Sequence, residues 1–178
     1  MPDPILVLTG PPGAGKTTTA RLLAADSVRA VHLESDSFFH VIRAGYVEPW
    51  KPESHEQNTT VMRIVAAAAA GYADAGYFTI IDGIISPCWF FEPLRDTLET
   101  AGHAVAYAVL RPPLAVCASR AANREASRID DATVVERLWR DFADLGSLER
   151  HAIDSDDKSA EEIAEDVTQR LRAGLLGV

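Results

Sequence analysis

One run near the start of the chain constrains its fold more than any other: Gly10-Pro11-Pro12-Gly13-Ala14-Gly15-Lys16-Thr17. It fits G-x-x-x-x-G-K-[ST] at every fixed position. The context fits too, because apolar Ile5-Leu6-Val7-Leu8 precedes it as a strand and residues 16–25 read as the helix that follows. A phosphate chain carries several negative charges and needs many donors converging on it. Gly10, Gly13 and Gly15 let the backbone turn successive N–H groups into one nest, and the helix start adds unpaired N–H groups and a positive dipole end. Lys16 is then placed to bridge the β- and γ-phosphates of a nucleoside triphosphate such as ATP. The Thr17 hydroxyl is placed to ligate Mg²⁺, and Ala14 and Thr18 belong to the same expected nucleotide-binding set.

The remaining pattern agrees with such a loop. Short apolar runs recur at residues 30–33, 78–81 and 105–110, with a weaker one at 151–153, each apolar on both phases as a strand covered on both faces should be. Helical segments alternate with them. Residues 58–77 include the alanine run 66–70, and 93–101 carry Leu94 and Leu98 with Gly102 as a cap. Residues 132–145 repeat Val135, Leu138, Phe142 and Leu145, and the last helix opens on the capping box Ser159-x-x-Glu162. Alternating strand and helix predict an α/β fold, a parallel sheet with helices on both faces, as one domain over residues 1–178.

Composition excludes several classes. A formal net charge of −9 speaks against a protein whose main work is gripping a phosphate backbone, so nucleic acid is not an expected partner. No apolar run is long enough to span a bilayer, and the first basic residue is Lys16, which argues against a signal peptide. Cys88 and Cys117 have no partner at metal spacing and read as reduced thiols in a cytoplasmic protein.

Carboxylates at strand ends are the next candidates, since ligands of open parallel sheets sit beyond the carboxyl ends of the strands. Asp82 follows Phe78-Thr79-Ile80-Ile81 and reads as a metal or substrate ligand, or else as a turn former before Gly83. Asp36, in Glu34-Ser35-Asp36-Ser37-Phe38-Phe39, suits the base that orients a hydroxyl acceptor and takes its proton, with Glu34 in reserve. Ser35 or Asp36 could equally cap a helix starting at Ser37 or Phe38. Arg120, Arg124 and Arg128 recur every four residues, so on a helix they share a face, as a phosphate-contacting lid or as a solvated surface partly paired by Glu125. Residues 38–57 are longer than a connection requires, which suggests a functional insertion. Phe39, Trp50 and His55, together with Trp89 further on, are candidates to wall an acceptor pocket of aromatic or sugar-like shape.

The Walker A run at 10–17, the Ser35-Asp36-Ser37-Phe38 segment and the arginines at 120 and 124 together resemble the P-loop kinase superfamily. The likeness in style is to chloramphenicol phosphotransferase, zeta-toxin-like kinases and the kinase domain of polynucleotide kinase. That resemblance implies a three-layer nucleoside-kinase-like fold with a five-stranded parallel sheet in the order 2-3-1-4-5 and a short arginine lid near 120–130. It also implies Mg²⁺-dependent transfer from ATP to a small-molecule hydroxyl, with Asp36 as base and Lys16, Arg120 and Arg124 around the transferring group. Gly45-x-x-x-Pro49-Trp50, Gln57-Asn58 and Asp82-Gly83-Ile84 further resemble a bacterial group of AAA-type ATP-binding proteins. A polynucleotide 5′-hydroxyl kinase and a nucleotide-binding regulatory ATPase without an acceptor are the alternative functions.

Overall fold

The strand Ile5–Thr9 (β1) is buried along its whole length, and its alternate side chains enter two different cores. Ile5 and Val7 join one with Val61, Ile81, Leu94 and Tyr107, while Leu6 and Leu8 join another with Leu23, Ile80, Leu110 and Val167. A strand apolar on both phases is satisfied only when both faces of its sheet are covered. The computed structural model describes residues 3–122 and 131–178. After β1 come α1 (Lys16–Ala25), β2 (Ala30–Glu34), α2 (Ser35–His40), α3 (His55–Asp74), β3 (Phe78–Gly83) and α4 (Glu92–Thr100). They are followed by β4 (Val105–Leu110), α5 (Leu114–Ala122), α6 (Ala132–Arg140), β5 (Ala152–Ile153) and α7 (Ala160–Arg172).

All five strands pair in parallel, in the order β2-β3-β1-β4-β5. This is the architecture and order expected from the sequence. β1 lies between β3 and β4; the connection from β1 runs to β2 on one side, the connection from β3 runs to β4 on the other, and a crevice opens beyond the carboxyl ends of these strands. The core facing α3 and α4 uses the close-packing alanines Ala66 and Ala69, and the core facing α1 and α7 uses Ala20 and Ala164.

The strands fall where the apolar runs placed them, and the last helix begins with the full Ser159/Glu162 capping box. Element boundaries moved. α3 spans His55–Asp74 rather than 58–77. α6 stops at Arg140, and Phe142 and Leu145 remain core residues from the turns that follow it. α2 opens at Ser35, before the expected start, and neither Ser35 nor Asp36 is its cap. β3 runs on through Asp82 to Gly83, so Asp82 belongs to the strand and is not a turn former.

That extension has a steric requirement. A Cβ on Gly83 would lie 2.2 Å from the Oγ of buried Ser35 and 3.1 Å from its Cβ, so the start of α2 packs directly on the bare backbone of β3. Gly83→Ala is expected to destabilise the protein by about 1–3 kcal/mol. Ser35→Gly should recover most of that loss in a double-mutant cycle followed by urea unfolding. Additive losses would mean that the two sites are not in contact.

Candidate functional site

The loop after β1 has the backbone of an anion cradle. Gly10, Gly13 and Gly15 have φ of +146°, +79° and +96°. At Gly13 the constraint is double, because a Cβ there would also stand 2.4 Å from the carbonyl oxygen of Cys117 in α5. Gly15 occupies the N-cap of α1 with no side-chain cap, which leaves the first N–H groups of that helix without an intrahelical acceptor. Lys16 Nζ donates to Gly10 O at 2.9 Å and Pro11 O at 3.0 Å, lying along the carbonyl side of the loop. A nest of positive-φ glycines, an uncapped helix start and an ammonium at its mouth fit a polyphosphate.

The rim opposite is fixed by a buried polar knot. Thr9 Oγ1 donates to Ile85 O at 3.2 Å and accepts from Ile85 N at 2.9 Å, and Tyr107 Oη donates to Ile85 O at 2.8 Å. The end of β1 and the middle of β4 thereby set the backbone that leaves β3. Asp82, 4% exposed, pairs in register with Leu8 on one side and Glu34 on the other, and its Oδ2 lies 3.2 Å from His32 Nε2.

Both features open into one cleft of about 980 Å³. Lys16, Thr17, Thr18, Glu34, Asp36 and Asp82 line it, and so do the acceptor-pocket candidates Phe39, Trp50, His55 and Trp89. Candidates scattered over more than seventy positions of sequence are therefore brought to one place. Glu34 is held by Arg21 at 3.0 Å. Asp36 is exposed by surface area, yet it sits inside the cleft with protein on several sides. That partial desolvation raises its carboxyl pKa above the ordinary 3.8, and Asp82 and Glu34 push the same way, against the pull of Lys16 and His40.

Residues 41–54 form a braced wall of the cleft. Gln57 uses both ends of its amide on one residue, accepting from Val47 N at 2.9 Å and donating to Val47 O at 2.6 Å. Asn58 Nδ2 donates to Pro49 O and Ser54 Oγ, both at 2.8 Å, and Ser54 Oγ donates in turn to Pro49 O and Lys51 O. These bonds stand in for strand pairing and hold Tyr46 and Trp50 over the cleft. Opposite, the kinked segment Pro87–Phe91 places Phe90 at φ +60°, with the Trp89 ring edge-on to it at 4.9 Å and the His55 ring at 5.8 Å.

Arg120 stands exposed in the last turn of α5 and is not among the residues lining the cleft. Arg124 and Arg128, like Glu125 between them, lie outside the described residues. The charged groups lining the cleft that the sequence reading missed are Arg21, Lys51, Arg137 and Asp141, the last two one turn apart on α6 and its C-cap. Arg137 Nη2 donates to Trp50 O at 2.9 Å, joining α6 to the braced wall.

Among the described residues, no group of three or more His, Cys, Asp or Glu is arranged to hold a metal by itself. Thr17 and Asp82 suit an ion such as Mg²⁺, which takes few protein ligands and arrives with phosphate oxygens. No helix among the described residues is long and apolar enough to cross a membrane.

Against known proteins, the family model described as an AAA domain matches residues 5–145. No curated protein matches the sequence. Among solved structures, an unliganded sugar kinase from a Janibacter species is 22% identical, with 96% of this chain and 95% of that one covered and a TM-score of 0.70. A tunicamycin resistance protein from Deinococcus radiodurans is 20% identical, with 99% and 98% covered and a TM-score of 0.70. The APS kinase of Mycobacterium tuberculosis, in complex with AMPPNP and APS, is 19% identical, with 97% and 99% covered and a TM-score of 0.69. At such identities the likeness is one of fold, and the fold is that of the P-loop small kinases.

The electrostatics of Asp36 give a testable sign. A carboxyl whose folded pKa is raised binds its proton more tightly in the native state, so stability falls as pH rises from 3.8 through that raised value. Asp36→Asn is therefore expected to raise Tm at pH 7, with the gain shrinking as pH falls toward 3.8. A gain or loss that is independent of pH would contradict this environment for Asp36.

Proposed function

The chain belongs to the AAA-domain family matched above, and on that premise we propose that it is an ATP-dependent phosphotransferase acting on a hydroxyl of a small molecule. The observation that carries the reading is the meeting of Lys16 and Asp36 on one cleft, with the phosphate cradle at one end and an aromatic wall at the other. Bound Mg²⁺·ATP supplies the phosphoryl group and its counter-charge. The amides of the 10–17 loop and the start of α1 hold the polyphosphate, and Lys16 leaves its loop carbonyls for the β- and γ-phosphate oxygens. Thr17 and Asp82 hold the metal, and His32 fixes the Asp82 carboxylate through its 3.2 Å contact.

Asp36 faces the acceptor. Its carboxylate accepts the hydroxyl hydrogen bond, aims the oxygen at the γ-phosphorus, and takes the proton as the new P–O bond forms and the bond to the β-phosphate oxygen breaks. Its raised pKa makes it a better proton acceptor than an open-solvent aspartate. Glu34 is less suited because Arg21 already engages it. For this single 1–178 domain the family resemblance alone supports a contact of Arg120 and Arg124 with the transferring phosphoryl group, since Arg120 is exposed and off the cleft lining and Arg124 lies outside the described residues. The net charge of −9 weighs against a nucleic-acid acceptor.

The test is ADP release with Mg²⁺·ATP over a panel of alcohols, with Lys16→Ala and Asp36→Asn alongside the wild type. Lys16→Ala is expected to weaken nucleotide binding and to reduce transfer by about 100-fold or more. Asp36→Asn should cost about 10²–10⁴ in kcat while leaving nucleotide binding nearly intact. Full transfer by folded Asp36→Asn would remove the base. ATP consumption indifferent to every acceptor would favour a regulatory ATPase.

A further inference from the structure

Helix α6 brings to the cleft two opposite charges that have not closed on each other. Arg137 and Asp141 stand one turn apart, and both line the cleft wall. Asp141 keeps helical backbone as the C-cap, so the two side chains leave the same face, about 5–6 Å apart at their Cβ atoms. The same helix shows what such a pair does when it has only a surface to cover. Glu136 and Arg140, also one turn apart, meet at 2.5 Å on its solvent side. Arg137 and Asp141 form no ion pair with each other or with any other side chain among the described residues.

Each of the two is left with capacity for a ligand. Arg137 uses Nη2 on a neutral acceptor, the carbonyl of Trp50, and most of its five N–H donors remain for an anion. Asp141 is half-buried and takes a hydrogen bond from the Cys88 thiol. Burial pushes its carboxyl pKa up, against the pull of Arg137 and of that bond. The negative pole of α6 disfavours a carboxylate at the C-cap, and a base followed by an acid is the poorer order for a pair at this spacing. Asp141 is therefore not placed for the stability of the helix.

Lys16 and His40 both act on Asp36, and so belong to the end of the cleft where a hydroxyl is read. The α6 charges sit instead with the aromatic wall, since Arg137 holds the backbone of Trp50 and Asp141 reaches Cys88, the neighbour of Trp89. An aromatic face beside a carboxylate suits an ammonium.

Resting on the kinase reading above, we propose that the acceptor is a zwitterion: a hydroxyl compound with an ammonium and a carboxylate close together, as on the α-carbon of an amino acid. Its carboxylate pairs with the Arg137 guanidinium and its ammonium with Asp141, so that the ligand closes the open pair of α6. A ligand bearing both charges leaves neither residue desolvated without a counter-charge, which a singly charged ligand cannot do.

Four compounds built on one body separate the two charges. 3-Phenylserine carries both, 3-phenylglycerate has a hydroxyl in place of the ammonium, 2-amino-1-phenylethanol lacks the carboxylate, and 1-phenyl-1,2-ethanediol lacks both. Each is titrated calorimetrically into the full chain loaded with Mg²⁺ and a non-hydrolysable ATP analogue. 3-Phenylserine should bind tightest, with about 10-fold or more lost on removing either charge. Arg137→Gln should erase the preference for the carboxylate, bringing 3-phenylserine down to the amino alcohol, while the preference for the ammonium survives. Asp141→Asn should do the reverse, bringing 3-phenylserine down to 3-phenylglycerate. A variant that merely loosens the wall would weaken all four alike.

The proposal is overturned if 3-phenylserine binds no more tightly than the diol, or if the nucleotide-loaded protein binds none of the four. It is overturned equally if the carboxylate preference survives Arg137→Gln, if the ammonium preference survives Asp141→Asn, or if either variant weakens all four alike. Failure of the ATP analogue itself to bind sinks the kinase reading instead, and the two failures are thereby told apart.

Discussion

The structure depends on one steric fact: at Gly10 and Gly13 the backbone between β1 and α1 packs so closely on its neighbours that a side chain is excluded. Gly10 lies against the carbonyl of Leu110 at the end of β4, and Gly13 lies against the carbonyl of Cys117 in α5. These approaches set the phosphate cradle at the switch point of the sheet, where β1 parts from β3 and β4. The other parts of the cleft are referred to the same strand. The Thr9–Ile85–Tyr107 knot carries the end of β1 into the segment beyond β3, and parallel register with Leu8 fixes Asp82. A one-residue slip would turn Asp82 from one face of the sheet to the other.

Two different kinds of precision follow. The nucleotide end is built from backbone, and it tolerates little change because its geometry is set by positive φ values and main-chain contacts. The end proposed to take the acceptor is built from side chains of α2, α3, α6 and the 41–54 and 87–91 segments, braced by amides from Gln57 and Asn58. Side-chain surfaces can be exchanged without disturbing the sheet. The same fold appears in a sugar kinase, a resistance protein and an APS kinase.

Most of the fold was legible because its signals are local. Strands buried on both faces announce themselves as short apolar runs, the glycine loop follows a fixed spacing, and the Ser159/Glu162 box marks a helix start. Boundaries were less so. The apolar period continues through the turn after α6, since Phe142 and Leu145 stay buried in the core although the helix has ended. At the site, Lys16 could be named from the fixed spacing of the glycine loop, and Asp36 and Asp82 because they lie at or just beyond the ends of strands. Arg137 and Asp141 could not, because only the tertiary placement of α6 across from Trp50 makes them part of the cleft. The bracing role of Gln57 was equally hidden, since its partner, Val47, is a backbone ten residues away.

The central claim is that the main-chain amides at the first strand-to-helix junction hold a nucleoside triphosphate facing Asp36. Amide chemical shifts in a titration with Mg²⁺ and a non-hydrolysable ATP analogue test it most directly. The account predicts saturable shifts concentrated at residues 13–18, with smaller ones at Asp36 and Asp82, and their loss in Lys16→Ala. Saturable shifts confined to other parts of the molecule, or none at all in well-folded protein, would contradict it.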